Sequence, residues 1–64
     1  MTQQKTILII DDEVSIRESL KSFFEDEDYL VFTAEDGDEG LHIYFNEKID
    51  LVLTDLRMPG IQSA

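Results

Sequence analysis

Asp11 and Asp12 stand directly after one aliphatic run, and Asp55 stands directly after another. In a parallel α/β sheet, ligands collect beyond the carboxyl ends of the strands, above all where the strand order reverses direction. If the two runs are neighbouring strands, these carboxylates converge at one edge. Unpaired carboxylates held close together repel one another, and a hard divalent cation relieves that repulsion. Magnesium suits such a set, because the donors are oxygens and an open site leaves positions for water and a phosphate. With its charge screened, an aspartate can attack a phosphorus atom, a reaction in which the protein supplies positioning and neutralisation. Taken singly, each acid is an ordinary helix cap or turn former. Their spacing along the chain is what raises them to a candidate site.

The elements that position these acids follow from periodicity. Lys5 to Ile10 is an apolar run without polar alternation, as expected of a strand covered on both faces. From Val14 the period changes, and Ile16, Leu20, Phe23 and Phe24 fall on one stripe of a helix expected to reach about Glu27. Asp12 is the expected cap of that helix, and Ser15 with Glu18 offers a second capping-box reading. Glu13 reads as a first-turn acid favoured by the helix dipole. Tyr29 to Ala34 is a second strand. Asp36 with Glu39 then caps a second helix to about Glu47, with Leu41, Tyr44 and Phe45 as its apolar stripe. Phe23, Phe24, Tyr44 and Phe45 are all expected in the core. Gly40 weakens the second helix by up to about 1 kcal/mol unless close packing needs the missing side chain. Asp50 to Thr54 is a third strand, and Pro59 with Gly60 ends regular structure after it. Alternation of strand and helix with short links predicts a parallel α/β sheet with right-handed crossovers.

The blocks Ile7-Leu8-Ile9-Ile10-Asp11-Asp12-Glu13, Ala34-Glu35-Asp36-Gly37 and Leu53-Thr54-Asp55-Leu56-Arg57-Met58-Pro59-Gly60 resemble, in order and spacing, the receiver domain of two-component response regulators. The resemblance covers nearly the whole chain. It implies a β-α-β-α-β unit forming the first half of a flavodoxin-like doubly wound fold, with strand order second, first, third. It also implies that Asp55 accepts a phosphoryl group in a phosphorelay. Asp12 would bind Mg2+ directly, Asp11 largely through a water, and Arg57 through its backbone carbonyl, while Met58 and Pro59 shape the loop bearing that carbonyl. A sensor histidine kinase or a phosphotransfer protein is the implied donor. The family also places a hydroxyl residue on a fourth strand and a lysine on a fifth, which cannot be assigned in this sequence. After Gly60 the chain reads Ile61-Gln62-Ser63-Ala64 where the family continues with an acidic or small residue and a glycine. Residues 1–64 therefore read as a truncated receiver domain, impaired in phosphotransfer.

Composition bounds the alternatives. A chain of 64 residues holds one domain at most, with a marginal core, and without cysteine and with one histidine it has neither a disulfide framework nor a zinc site. Fifteen acids against five bases, net charge -10, disfavour direct contact with nucleic acid. No run is long enough to span a bilayer and no secretory signal follows Met1, so a cytoplasmic protein is expected. His42 reads as a surface residue rather than a phosphohistidine donor, and Glu25-Asp26-Glu27-Asp28 as a solvated helix end whose charge opposes the dipole. An apolar third strand left at a sheet edge needs cover, which a homodimer without phosphotransfer activity would supply. A phosphohydrolase forming an aspartyl-phosphate is a further alternative. Those enzymes carry an acid two residues after the nucleophile, where this chain has Arg57.

Overall fold

A computed structural model describes residues 4–54. The chain runs β1 (Thr6–Ile10), α1 (Val14–Asp26), β2 (Leu30–Ala34), α2 (Gly37–Asn46) and β3 (Leu51–Thr54). All strand pairs are parallel and the order is β2-β1-β3, as the sequence predicts for the first half of a doubly wound sheet. Each strand is one residue shorter at its start than expected, and each helix ends one residue earlier.

β1 is the central strand because every residue from Thr6 to Ile9 is buried and three of its side chains, Ile7, Leu8 and Ile9, are almost wholly so. Fully burying an aliphatic side chain contributes about 1.5–3 kcal/mol, so this strand dominates the core. Side chains alternate across a strand, which sends Ile7 and Ile9 to one face and Leu8 and Ile10 to the other. On the first face Leu20 and Phe24 of α1 pack with Tyr29, Val31 and Leu53. On the second, Gly40 of α2 lies against Ile10 and Ala34. The helices therefore cover opposite faces.

Gly40 settles the packing alternative left open by the sequence. It is buried, and an added Cβ would meet Ile10 Cδ1 at 2.5 Å and Ile10 Cγ1 at 2.9 Å. The absent side chain lets α2 sit close on the sheet. The expected aromatic core is overturned in part: Phe24 packs inward, but Phe23, Tyr44 and Phe45 are exposed, Phe45 by 77%. Tyr44 is exposed because α2 touches the sheet through its glycine and its Leu41–Tyr44 flank overhangs a groove beside β3, while Phe23 and Phe45 rest edge to face on their neighbours Phe24 and Tyr44 at 5.0 and 5.6 Å.

The cap of α1 also differs from expectation. Glu13, rather than Asp12, holds the N-cap position, with extended backbone and no side-chain cap bond, and Ser15 lies inside the first turn. Glu13 thus precedes the first turn, which contains no acid. Asp11 accounts for the shift. Its Oδ1 accepts the Glu13 backbone N–H at 2.9 Å, a side-chain turn that carries the chain two residues past β1 before the helix begins. In α2 the expected cap forms: Asp36 Oδ1 accepts from the Glu39 N–H at 2.8 Å, while Glu39 Oε1 accepts from the Glu35 N–H at 2.9 Å.

α1 closes with a left-handed residue. Asp28 has φ 75°, its N–H donates to the Glu25 carbonyl at 3.0 Å, and the Tyr29 N–H donates to the Phe24 carbonyl at 3.0 Å. That is the Schellman arrangement, and the Phe24 and Tyr29 rings meet edge to face at 5.7 Å as its hydrophobic contact. The acids from Glu25 to Asp28 are solvent-exposed, as expected.

Candidate functional site

The register of the sheet brings the ends of β1 and β3 to one edge. β1 and β3 pair with Ile10 opposite Thr54. Asp11 is the next residue after Ile10, and its backbone N–H continues the ladder to the Ala34 carbonyl at 3.1 Å. The chain leaves β1 to one side to form β2 and returns past it to form β3, so the strand order reverses between β1 and β3. A crevice at such a reversal is the usual ligand position in an open α/β sheet. One is present here, an open cavity of about 310 Å³ lined by Ile9, Ile10, Asp11, Leu20, Leu53 and Thr54.

Within that crevice Asp11 is only 7% exposed. Its carboxylate accepts the Glu13 N–H, and among the described residues no basic side chain forms an ion pair with it. Arg17, one turn into α1, instead donates from Nη1 to the Asp11 backbone carbonyl at 2.7 Å. This ties the helix to the strand end, and among the described residues no side chain serves the carboxylate as a direct counter-ion. A buried carboxylate is ordinarily paired or bound to a cation, so the donor set fits a hard oxygen-liganded ion. Asp12 is exposed beside it. Asp55 and Arg57, with Met58 and Pro59, lie outside the described residues, and among the described residues no three His, Cys, Asp or Glu side chains gather around a common point.

Two contributors escaped the sequence reading. Arg17 is the first; its only signal was a lone base one turn into a helix that follows an acid pair. Asp50 is the second. Its Oδ2 accepts the Thr6 N–H at 2.8 Å while its own N–H donates to the Thr6 carbonyl at 2.9 Å, clamping the start of β3 to the start of β1. This clamp sets the register that puts Thr54 opposite Ile10. His42 is exposed on α2, as expected. No helix among the described residues is long and apolar enough to cross a membrane.

Comparison with known proteins agrees with this geometry. The sequence matches the response regulator receiver domain family over residues 7–62. It is 42% identical over 59 residues to the transcriptional regulatory protein ResD of Bacillus subtilis, covering 92% of this chain and 25% of that protein. The fold superposes on the chemotaxis response regulator CheY4 of Vibrio cholerae with a TM-score of 0.84 at 32% identity, covering 92% of this chain and 49% of that one. A chain in the crystal structure of histidine kinase ThkA in complex with response regulator protein TrrA gives a TM-score of 0.80 at 48% identity, covering 91% of this chain and 50% of that one. The chain thus spans about a quarter of the curated relative ResD and about half of these solved structures. Sheet order, the acid at the reversal point and the sequence match lead to one conclusion: the chain belongs to the response regulator receiver domain family.

Proposed function

We propose that this chain is the first part of a receiver module whose Asp55 takes a phosphoryl group from a sensor histidine kinase or phosphotransfer protein. The observation that carries the reading is the buried Asp11 carboxylate at the strand-order reversal, which forms no ion pair among the described residues, beside the end of β3, where Thr54 pairs with Ile10. Asp11, Asp12, Asp55 and the backbone carbonyl of Arg57 are the groups that would hold Mg2+. When bound, the ion supplies positive charge that neutralises carboxylates and phosphoryl oxygens. A carboxylate oxygen of Asp55 forms the new O–P bond as the bond from phosphorus to the donor nitrogen breaks, and the donor imidazole leaves neutral after taking up a proton. Asp11 keeps its place through the Glu13 N–H, and Arg17 fixes the backbone from which Asp11 and Asp12 project. The product is an acyl phosphate whose added charge biases a conformational equilibrium, the usual logic of a signalling switch. Kinship of fold with a chain from a histidine kinase–response regulator complex supports the choice of donor.

Intact-protein and peptide mass spectrometry after incubation with acetyl phosphate and MgCl2 tests the proposal. Labelling located on Asp55 is expected. Asp55→Ala should abolish it. Labelling that persists unchanged in Asp55→Ala would overturn the assignment of the acceptor.

A further inference from the structure

β2 forms the edge of the sheet on the side away from β3, and both of its neighbours in sequence, α1 and α2, are in place. Its backbone hydrogen bonds show what that edge leaves open. The Leu30 N–H donates to the Lys5 carbonyl at 2.9 Å, and the Ala34 carbonyl accepts the Asp11 N–H at 3.1 Å. In a parallel ladder of this register, Leu30, Phe32 and Ala34 turn their N–H and C=O groups inward to β1. Val31 and Thr33 therefore turn theirs outward. Among the described residues no hydrogen bond caps these outward groups, and one position beyond them Glu39 Oε1 takes the Glu35 N–H and closes the ladder. Edge strands are ordinarily blunted by a proline, a bulge or a charged side chain. β2 has none of these: its register to β1 is unbroken, and Tyr29 to Ala34 holds neither proline nor charge. Charge stands instead at both ends. Glu27 and Asp28 precede this stretch and Glu35 and Asp36 follow it, all four exposed.

We propose that the outer edge of β2 is a docking site for an extended peptide segment with β-branched residues at its centre and lysine or arginine at both ends. The segment adds a strand to the sheet, its backbone pairing with the outward N–H and C=O groups of Val31 and Thr33. Its side chains fall alternately on the two faces. Val31 packs on the α1 face, so alternation places Leu30, 46% exposed, on the α2 face, where it offers apolar contact to the incoming strand. Charge selects the occupant. Basic ends meet the acids before and after β2, in a chain whose net charge of -10 attracts cationic partners. A second copy of this chain fits worse. A two-fold pairing of β2 with β2 is antiparallel, which sets the acids at the start of one strand against those at the end of the other.

The test titrates the 64-residue chain with a blocked peptide, acetyl-Lys-Lys-Val-Thr-Val-Thr-Val-Lys-Lys-amide, and follows amide hydrogen exchange by NMR. No phosphodonor or Mg2+ is present, so the outcome is independent of Asp55 chemistry. At saturation, exchange at Val31 and Thr33 is expected to slow by at least about tenfold, while Leu30 and Phe32, already bonded to β1, change little. The same peptide N-methylated through its five central residues keeps its charges and side chains but loses its main-chain donors, and should bind at least about tenfold more weakly. The double variant Glu27→Lys, Glu35→Lys should weaken binding of the parent peptide by a similar factor. Both replaced side chains are exposed, and the methylated peptide probes the same edge in the unaltered chain. Absence of binding, protection confined to β3, equal affinity for the methylated peptide, or undiminished binding by the double variant would each overturn the proposal. A self-dimer that protects Val31 and Thr33 without peptide would overturn it too, by making a second copy the occupant.

Discussion

Alanine at position 40 would gain about 1 kcal/mol of helix propensity over glycine. Against this, its Cβ would lie 2.5 Å from Ile10 Cδ1 and 2.9 Å from Cγ1. The Cδ1 methyl can swing toward the open groove, but Cγ1 moves only by turning a β-branched χ1 out of its preferred well. Overpacking of this kind costs about 1–3 kcal/mol, so the clash outweighs the propensity. Gly40→Ala is expected to destabilise the fold by about 1 kcal/mol in urea denaturation. In an Ile10→Ala background, where both clashing atoms are gone, the same change should stabilise. A stabilising Gly40→Ala in the parent chain would mean that α2 sits further from the sheet than described. The sequence already posed this alternative, propensity against packing, but a glycine carries no record of its neighbours, so only coordinates could decide it. Asp11 and Asp12 illustrate the same limit. Adjacency and residue type nominate both as ligands, yet the burial of Asp11 and its hold on the Glu13 N–H depend on where the chain turns after β1.

Element order and type follow from periodicity because two apolar runs without alternation and two stripes of helical spacing leave little choice. The caps divide more finely. Asp36 was legible, since an acid followed three residues later by Glu39 satisfies local N–H groups whatever the tertiary context. The end of α1 was not. A run of four acids suggests fraying, yet the helix closes on a full Schellman pair of hydrogen bonds, with the Phe24–Tyr29 ring contact supplying the stabilisation that the charges withhold. Asp28 bears the strain of that closure at φ 75°. A left-handed conformation costs a residue with a Cβ roughly 1–2 kcal/mol, partly relieved for aspartate, and an acid at the negative end of a helix dipole costs about 0.3–1 kcal/mol more. Glycine removes both terms but loses more entropy on folding. Asp28→Gly is expected to gain about 1 kcal/mol, which for a chain of this size raises Tm by about 4–8 °C. Asp26→Asn, which removes charge while leaving the turn untouched, should gain only a few tenths of a kcal/mol. Equal shifts in the two variants would assign the effect to charge, and a lower Tm for Asp28→Gly would remove the case for backbone strain.

At the scale of the molecule, the parallel sheet followed from alternation, and its β2-β1-β3 order matched what the family resemblance implied. What could not be read was how little of the apolar surface is enclosed, because stripes on Leu41, Tyr44 and Phe45 look the same whether or not a layer faces them. The net charge of -10 acts on this thin core. At about 0.01 M ionic strength the Debye length is roughly 30 Å, longer than the strands themselves, so the acids repel across the whole fold, while at about 1 M it is roughly 3 Å and only neighbours interact. Screening should therefore stabilise the folded state. Over that range of NaCl, Tm is expected to rise by about 5–10 °C, corresponding to roughly 1–2 kcal/mol at this chain length. MgCl2 at matched ionic strength separates diffuse screening from the proposed site: it should add a further increment that the double variant Asp11→Asn, Asp12→Asn loses. The general salt response should survive in that variant, because two neutralised side chains still leave a strongly acidic surface. A Tm that stays flat or falls with NaCl would show that self-repulsion does not limit this fold. An identical Mg2+ increment in the double variant would place the ion somewhere other than the edge where β1 ends.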